Sequence, residues 1–162
     1  MPKSINKGVV AIPVVVASAL MLMAPMLVSA QNAHFVRATS SLDGDDLVCS
    51  FKEAGLGDSV TVTMECSADA SANYECQNRG ANNKNPEAAN KETVTEPVSG
   101  SDEFTSGKNG QITDSITVPA PGPGDFSCPP GQDRVLVSAT YTNVVLTDTT
   151  NDIDVRLDNQ QS

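Results

Sequence analysis

The chain has 162 residues, of which 39% are hydrophobic and only 4% aromatic, and its formal net charge is −10. This acidity argues against a nucleic-acid partner or an anionic membrane surface, because both are bound through clustered lysine and arginine side chains. The chain has no tryptophan and one histidine, so an aromatic-lined cofactor pocket is not expected and no cofactor is predicted.

Residues 1–30 have the layout of a secretory signal peptide. The first seven residues are polar and include two lysines, and the following twenty-one contain no charged side chain. Val28 and Ala30 are the small or branched residues that signal peptidase accepts at the third and first positions before its cleavage site. This order of basic, apolar and small-residue segments predicts cleavage after Ala30. Residues 31–162 would then form one exported domain with a formal charge of −12.

Two other fates of this leader stay open. Its twenty-one apolar positions are enough to span a membrane as an uncleaved anchor. Lys7-Gly8 before the apolar run also resembles an archaeal prepilin signal, in which cleavage after the glycine leaves the apolar helix on a filament subunit. Pro13 and Pro25 would interrupt that helix. The first residue of the mature protein distinguishes the three cases: Gln31, an intact Met1, or Val9.

The four cysteines all follow the predicted cleavage site: Cys49, Cys66, Cys76 and Cys128. In an oxidising compartment an even number of cysteines pairs into disulfides, and four cysteines permit three connectivities. Their spacing contains no Cys-x-x-Cys pair and His34 is the sole imidazole, so a zinc site is not expected.

Runs with an apolar residue at every second position predict about eight short β-strands after residue 33. Turn residues separate these runs, and no stretch shows the periodicity of a helix. In chain order the predicted strands cover residues 34–40, 47–51, 60–66, 72–77, 93–98, 103–105, 111–118, 134–146 and 153–157. This pattern is typical of an all-β domain, an antiparallel β-sandwich of Greek-key or immunoglobulin-like type.

The second and third predicted strands are expected to form a hairpin, and this hairpin sets the disulfide pairing. Placing Cys49 opposite Cys66 puts every apolar side chain of both strands on the same face, which a slip of one residue would destroy. A Cys49–Cys66 bridge is therefore the favoured pairing, and it leaves Cys76 to pair with Cys128.

Asn109-Gly110 is a second hairpin signal. A two-residue turn there would put Phe104 opposite Ser115, which matches the apolar faces poorly. The strand register at this turn therefore stays open.

Two long connections interrupt the strand pattern. Residues 77–92 are rich in asparagine, and residues 119–131 contain five prolines and three glycines. Connections longer than about twelve residues in a compact domain tend to be functional or disordered, and proline stiffens the second one. Ordinary solvated loops are the simpler interpretation. The other interpretation is that the two connections, which a Cys76–Cys128 bridge would tie to one end of the sandwich, form an interaction surface. The candidate residues of this surface are Asp125, Phe126, Ser127, Pro129 and Pro130.

Three stretches carry a resemblance: FKEAGLG at residues 51–57, KNGQ at residues 108–111 and GDFSCPPGQ at residues 124–132. From about Phe35 to Val155 the chain resembles a group of secreted, uncharacterised proteins from bacteria, archaea and some fungi. The resemblance implies a disulfide between the positions of Cys76 and Cys128, with the other two cysteines as an added pair. The group has no established activity, so the resemblance implies export and fold but not function.

Patterns that would indicate catalysis are lacking, and an enzyme is not expected. The sequence contains no Gly-x-Ser-x-Gly motif for a serine nucleophile, and the thiols are expected in bridges. Paired carboxylates could serve a glycosidase, but the acidic residues are scattered through turns and few aromatic side chains are present to bind a sugar.

Calcium is the one metal for which the sequence offers candidates, and they are weak ones: Asp43, Asp45 and Asp46. They place three carboxylates on one turn, and Asp148, Asp152 and Asp154 form a second cluster near the end of the chain. Calcium prefers several oxygen ligands. The glutamate that closes an EF-hand loop is absent, however, and aspartate is common in hairpin turns for other reasons.

The sequence therefore predicts an exported, non-catalytic protein that acts outside the cell or on its surface as a binding module for an unknown protein or surface partner. One alternative is a pilin-like filament subunit that keeps its apolar N-terminal helix and uses the open edges of the sandwich for strand addition. A second alternative is a calcium-stabilised surface module.

Overall fold

The computed structural model describes residues 32–78 and 90–162, which form eight β-strands in two antiparallel sheets. The strands are β1 His34–Asp43, β2 Asp46–Ala54, β3 Thr61–Asn78, β4 Lys91–Thr105, β5 Ile112–Val118, β6 Gln132–Asp148, β7 Ile153–Arg156 and β8 Gln160–Gln161. The predicted all-β fold is confirmed. The predicted leader and most of the asparagine-rich connection lie outside the described residues.

The small sheet has the strand order β1-β2-β5, and the large sheet has the order β4-β3-β6-β7 with β8 paired to β6. In β2 and β3 buried and half-buried or exposed positions alternate almost without interruption, so each sheet has one apolar face. The two apolar faces pack against each other and form a single core. Its largest fully buried apolar side chains are Tyr141, Leu47, Met64, Leu146, Val62, Val118 and Val144.

The predicted hairpin between the second and third strands is wrong, although the disulfide inferred from it is correct. β2 pairs with β1 and β5, whereas β3 pairs with β4 and β6. Cys49 and Cys66 therefore meet across the core, one from each sheet, and their Cα atoms are 6.2 Å apart. An alternating pattern only defines which face of a strand is apolar, so it fits two facing strands as well as two neighbouring ones.

The hairpin signal at Asn109-Gly110 has a similar outcome. A tight turn forms there, with Gly110 at a φ of +67° and its N–H donating to Gly107 O at 2.9 Å. This turn joins β4 of the large sheet to β5 of the small sheet, so the strands on either side are not paired. The poor match of apolar faces in the expected register is thereby explained.

Four of the predicted strands are halves of longer ones. The predicted strands 60–66 and 72–77 are both parts of β3, which has 18 residues, and 93–98 and 103–105 are both parts of β4, which has 15. In β3 the linking segment alternates Ala68 and Ala70, both buried, with polar residues, so the strand continues without a break. Small buried side chains gave too weak a signal to be recognised as a strand.

The two sheets approach each other at both edges of the sandwich. On one side Gly100 of β4 lies against β5, where an added Cβ would come within 3.1 Å of Thr117 O. On the other side Ser40 of β1 donates to Asp158 O at 2.6 Å and accepts from Gln160 Nε2 at 3.0 Å. The core is therefore enclosed on all sides except at the two ends.

Two of the stretches that carry the sequence resemblance meet at one end of the sandwich. Leu56 donates its N–H to Gly110 O at 3.2 Å, which joins residues 51–57 to residues 108–111. Gly55 has a φ of +81° and sits against the Asn32 backbone, where a Cβ would clash. Glycine at this position is therefore required by both conformation and space.

We expect the bridge between the sheets to contribute strongly to stability. Replacing Cys49 and Cys66 together by alanine should lower the free energy of unfolding by about 3 kcal/mol, because the bridge closes a loop of 17 residues. The Cys76–Cys128 bridge closes a loop of 52 residues. Replacing both of its cysteines by alanine should therefore lower the free energy of unfolding by about 4 kcal/mol. Urea unfolding followed by circular dichroism measures both values, and an unchanged midpoint for either variant would contradict the expectation.

Candidate functional site

The proline-rich loop, residues 119–131, is fixed at its start by two hydrogen bonds to buried parts of the domain. Ala120 donates its N–H to Asp46 Oδ1 at 3.0 Å, and the Tyr74 hydroxyl donates to Pro121 O at 2.7 Å. Burial raises the pKa of Tyr74 above its usual value, so the hydroxyl stays protonated as the donor. Pro121 is fully buried, and the loop therefore covers part of the large sheet.

The middle of the proline-rich loop is fixed by a covalent and a charge-assisted contact. Cys128 is bonded to Cys76 of β3, as the sequence predicted, with a Cα separation of 5.5 Å. Arg134 of β6 donates from Nη1 to Phe126 O at 2.7 Å. Proline removes much of the remaining backbone freedom, so the loop is held in one conformation along most of its length.

The predicted interaction residues form the outer side of this loop. Four of them are exposed and Phe126 is half-buried: Asp125, Ser127, Pro129 and Pro130 are the exposed ones. The structure brings them together in one short segment whose backbone is anchored behind them. This arrangement offers a partner a preformed surface that loses little conformational entropy on binding.

The aspartate turn lies at the same end of the sandwich as the proline-rich loop, since Asp46 accepts the hydrogen bond from Ala120. The turn residues are Gly44, with a φ of +64°, and Asp45, as expected for a two-residue hairpin turn. Asp45 O accepts the Tyr141 hydroxyl at 2.7 Å. Burial, together with the Asp46 carboxylate, raises the pKa of Tyr141 to about 12.

The calcium candidates Asp43, Asp45 and Asp46 occupy this turn. In the part of the chain that the structure describes, no group of three or more His, Cys, Asp or Glu side chains is placed to hold a metal ion. Asp46 is instead engaged in fixing the proline-rich loop, which is a structural role.

A pair of buried carboxyl groups, Glu53 and Asp148, lies at the other end of the sandwich. Sequence reasoning singled out Asp148 only as part of an acidic cluster and did not single out Glu53. Glu53 is on β2 and Asp148 ends β6, and both are completely buried. Asp148 accepts hydrogen bonds from the N–H groups of Thr150 and Asn151 and from Asn151 Nδ2, at 2.8, 3.1 and 2.6 Å. Glu53 continues the buried alternation of β2, and a charged residue in an apolar position is the signal that could have found it.

Glu53 carries a proton at neutral pH. Neither of its carboxyl oxygens accepts a hydrogen bond from an N–H or O–H group of the described residues, and the group it faces is Asp148. Two carboxyl groups can bond to each other only when one of them is protonated. Burial, the hydrogen bond to Asp148 and repulsion from the Asp148 charge raise the pKa of Glu53 to about 8.

The outer face of the small sheet carries a groove of about 450 Å³, which sequence reasoning also missed. Its lining combines hydroxyl and charged residues with one aromatic residue, from three strands: Arg37, Thr39, Ser50, Phe51, Lys52, Thr113, Asp114 and Ser115. We call this set the hydroxyl groove. The alternation of these residues with core positions was the available signal, but it was interpreted only as solvent-facing sheet.

His34, the single imidazole, is exposed at the start of β1, and its Nδ1 lies 2.7 Å from Asn32 O. Among the hydrogen bonds of the described residues, the His34 ring contacts only this backbone carbonyl and no carboxylate or hydroxyl that would complete a catalytic triad.

No model of a known protein family matches the chain, and no curated protein or solved structure matches it. Within residues 32–78 and 90–162 there is no helix long and apolar enough to cross a membrane.

The buried carboxyl pair predicts a pH-dependent stability. The pKa of Glu53 is about 8 in the folded protein and near 4.3 in an unfolded chain. Between these values the folded state holds a proton that the unfolded state has lost. The free energy of unfolding should therefore fall as the pH rises from about 5 to 8, by at most about 1.4 kcal/mol per pH unit.

The variant Glu53→Gln should flatten this pH dependence, because an amide donates the same hydrogen bond to Asp148 without a titrating proton. Urea unfolding at pH 5, 6, 7 and 8 measures the slope in both proteins. The matched control is Glu103→Gln, since Glu103 is exposed and should keep the wild-type slope. Equal slopes for wild type and Glu53→Gln would contradict the assignment.

Proposed function

We propose that the protein is an exported, non-catalytic binding module that acts outside the cell or on its surface. The observation that carries the proposal is the proline-rich loop, which is fastened by a disulfide and three hydrogen bonds and turns Asp125, Ser127, Pro129 and Pro130 to solvent. A loop anchored in this way suits recognition, because a partner would not have to order it.

Export is supported by the leader and by the state of the cysteines. All four cysteines are paired, and no cysteine of the described residues is free. Disulfides of this kind persist mainly in oxidising compartments. The signal-peptide layout of residues 1–30 points in the same direction from independent residues, as does the resemblance to a group of secreted proteins.

A non-catalytic role is supported by the placement of the titratable groups. Glu53, whose pKa is raised to about 8, and Asp148 beside it have no exposed surface, so a substrate would not reach them. His34 is exposed and bonded only to its own strand terminus. A perturbed pKa is a guide to catalysis when the group opens into a cleft, and this pair does not.

The filament alternative receives less support from the sheet edges. β4 is an outer strand of the large sheet, and it contains Pro97 and four exposed carboxylates: Glu92, Glu96, Asp102 and Glu103. Proline and charge on an edge strand are features that natural sheets use against edge-to-edge pairing. We therefore favour the binding-module hypothesis over a filament subunit that assembles through the β4 edge.

Export with cleavage after Ala30 is tested by the intact mass of the native protein. We expect material from the culture fluid to begin at Gln31 and to be four hydrogen atoms lighter than the reduced chain, since two disulfides form. Non-reducing mass spectrometry gives both values at once. A chain that begins at Val9 and is recovered as polymers would instead support the filament subunit, and protein found reduced inside the cell would contradict export.

Binding through the proline-rich loop is tested with the fluorescently labelled secreted protein on the cells that produce it. We expect saturable binding that weakens at least fivefold in Asp125→Ala and in Phe126→Ala, because both residues lie on the outer side of the loop. Asp154→Ala, an exposed aspartate on β7, makes the same charge change elsewhere and should bind as wild type. Equal affinities for all variants would contradict the role of the loop.

A further inference from the structure

The hydroxyl groove contains two cations side by side, and a β-bulge brings them together. Arg37 of β1 is the direct cross-strand partner of Lys52 of β2. The register of β1 and β2 shifts between Phe35 and Arg37, which leaves Val36 as the extra residue. A bulge changes the face to which the following side chains point. Without it Arg37 would follow Phe35 by two positions and would share its inward face.

This placement has an electrostatic cost that no ion pair among the described residues relieves. Like charges directly opposite each other on neighbouring strands are destabilising. Among the described residues, no ion pair and no side-chain hydrogen bond involves Arg37 or Lys52. By contrast, Lys91 on the large sheet lies 3.0 Å from the Glu75 carboxylate. The chain carries twice as many acidic as basic residues, so an unneutralised pair of cations is unexpected.

The rest of the hydroxyl groove adds groups that both donate and accept hydrogen bonds. Thr39 is opposite Ser50, and Ser50 is opposite Ser115, so hydroxyls from three strands form one row. The next row is Arg37, Lys52 and Thr113. Short hydroxyl side chains beside long cationic ones produce the concave shape of the groove. The lining is thus a row of hydroxyls next to a row with two positive charges.

We propose that the hydroxyl groove binds a segment of an acidic polysaccharide whose sugar rings carry carboxylate groups. The guanidinium of Arg37 binds carboxylates in a fork of two hydrogen bonds, and Lys52 contributes a second point charge. The Ser and Thr hydroxyls pair with the sugar hydroxyls. A bound carboxylate would offset the repulsion between Arg37 and Lys52, and this relief would contribute to the free energy of binding.

The charge distribution favours this ligand over other polyanions. A nucleic acid carries one negative charge per ~1.7 Å of duplex, and its dense charge would be repelled by a protein of net charge −10. A polysaccharide with at most one carboxylate per sugar has a lower charge density than a nucleic acid. It can bind the two cations while being repelled less by the negative charge of the rest of the protein. At physiological salt the groove is screened from acidic residues more than about 8 Å away. An extended acidic peptide would be expected at a sheet edge, whereas this groove lies on a sheet face.

Affinity measurements with defined polymers test the proposal, and the purified protein in solution suffices, so the outcome does not depend on export or on the proline-rich loop. Isothermal titration with polygalacturonate oligomers should show binding that weakens as NaCl rises from 50 to 300 mM. Replacing both Arg37 and Lys52 by glutamine should weaken binding at least tenfold. Asp114→Asn should strengthen it, because Asp114 is one of the residues that line the groove and its negative charge opposes an anionic ligand.

The matched control replaces Lys108 and Arg156 by glutamine, which changes the net charge equally at two exposed positions outside the groove. We expect this variant to bind as wild type. All variants change exposed or half-buried side chains, and thermal melts confirm that they fold. No binding of polygalacturonate would overturn the proposal, as would equal loss in the control variant. Equally tight binding of poly-glutamate or of DNA would overturn the assignment to a polysaccharide.

Discussion

The contact on which the rest of the molecule depends is the meeting of two apolar sheet faces around the Cys49–Cys66 bridge. Several of the buried side chains are small, among them Ala68, Ala70 and Ala139, and the chain has few aromatic residues. Such a core supplies less apolar surface than a core of leucine and phenylalanine would. The Cys49–Cys66 bridge offsets this smaller apolar contribution by restricting the unfolded chain, and it joins the two sheets within the core.

The same packing places the two ends of the sandwich in different environments. At one end the tyrosines, Tyr74 and Tyr141, reach out of the core with hydroxyls that fix the proline-rich loop and the aspartate turn. At the other end two carboxyl groups, Glu53 and Asp148, close the core from within. The first end is suited to recognition because its polar groups position surface segments. The second end makes stability depend on pH, because the pKa of the buried Glu53 is raised to about 8.

The sequence was sufficient for the sandwich, the disulfide pairing and most strand positions, but not for the continuity of β3 and β4 or for the partners of each strand. Period-two alternation reports which side of a strand is buried, and that information is the same for a hairpin and for two facing sheets. This is why the Cys49–Cys66 bridge was predicted correctly from an incorrect hairpin. The proline-rich loop was recognisable because its composition is unusual. The hydroxyl groove was not recognisable from the sequence. Phe35 and Val36 are both apolar and either could face the core, and no distinctive residue marks the β-bulge that decides between them.

The proline-rich loop also replaces the second sheet over the far half of β3. Ala72, Tyr74 and Cys76 are buried there although they lie outside the main core cluster, and the loop reaches this region through Pro121 and Cys128. The two sides of this loop are therefore under different constraints. Its buried residues are needed to cover the sheet, whereas its solvent-facing residues, among them Gly124, Asp125 and Ser127, are not. Over evolution, recognition could diversify at those few sites while the segment as a whole kept its length, its prolines and its cysteine.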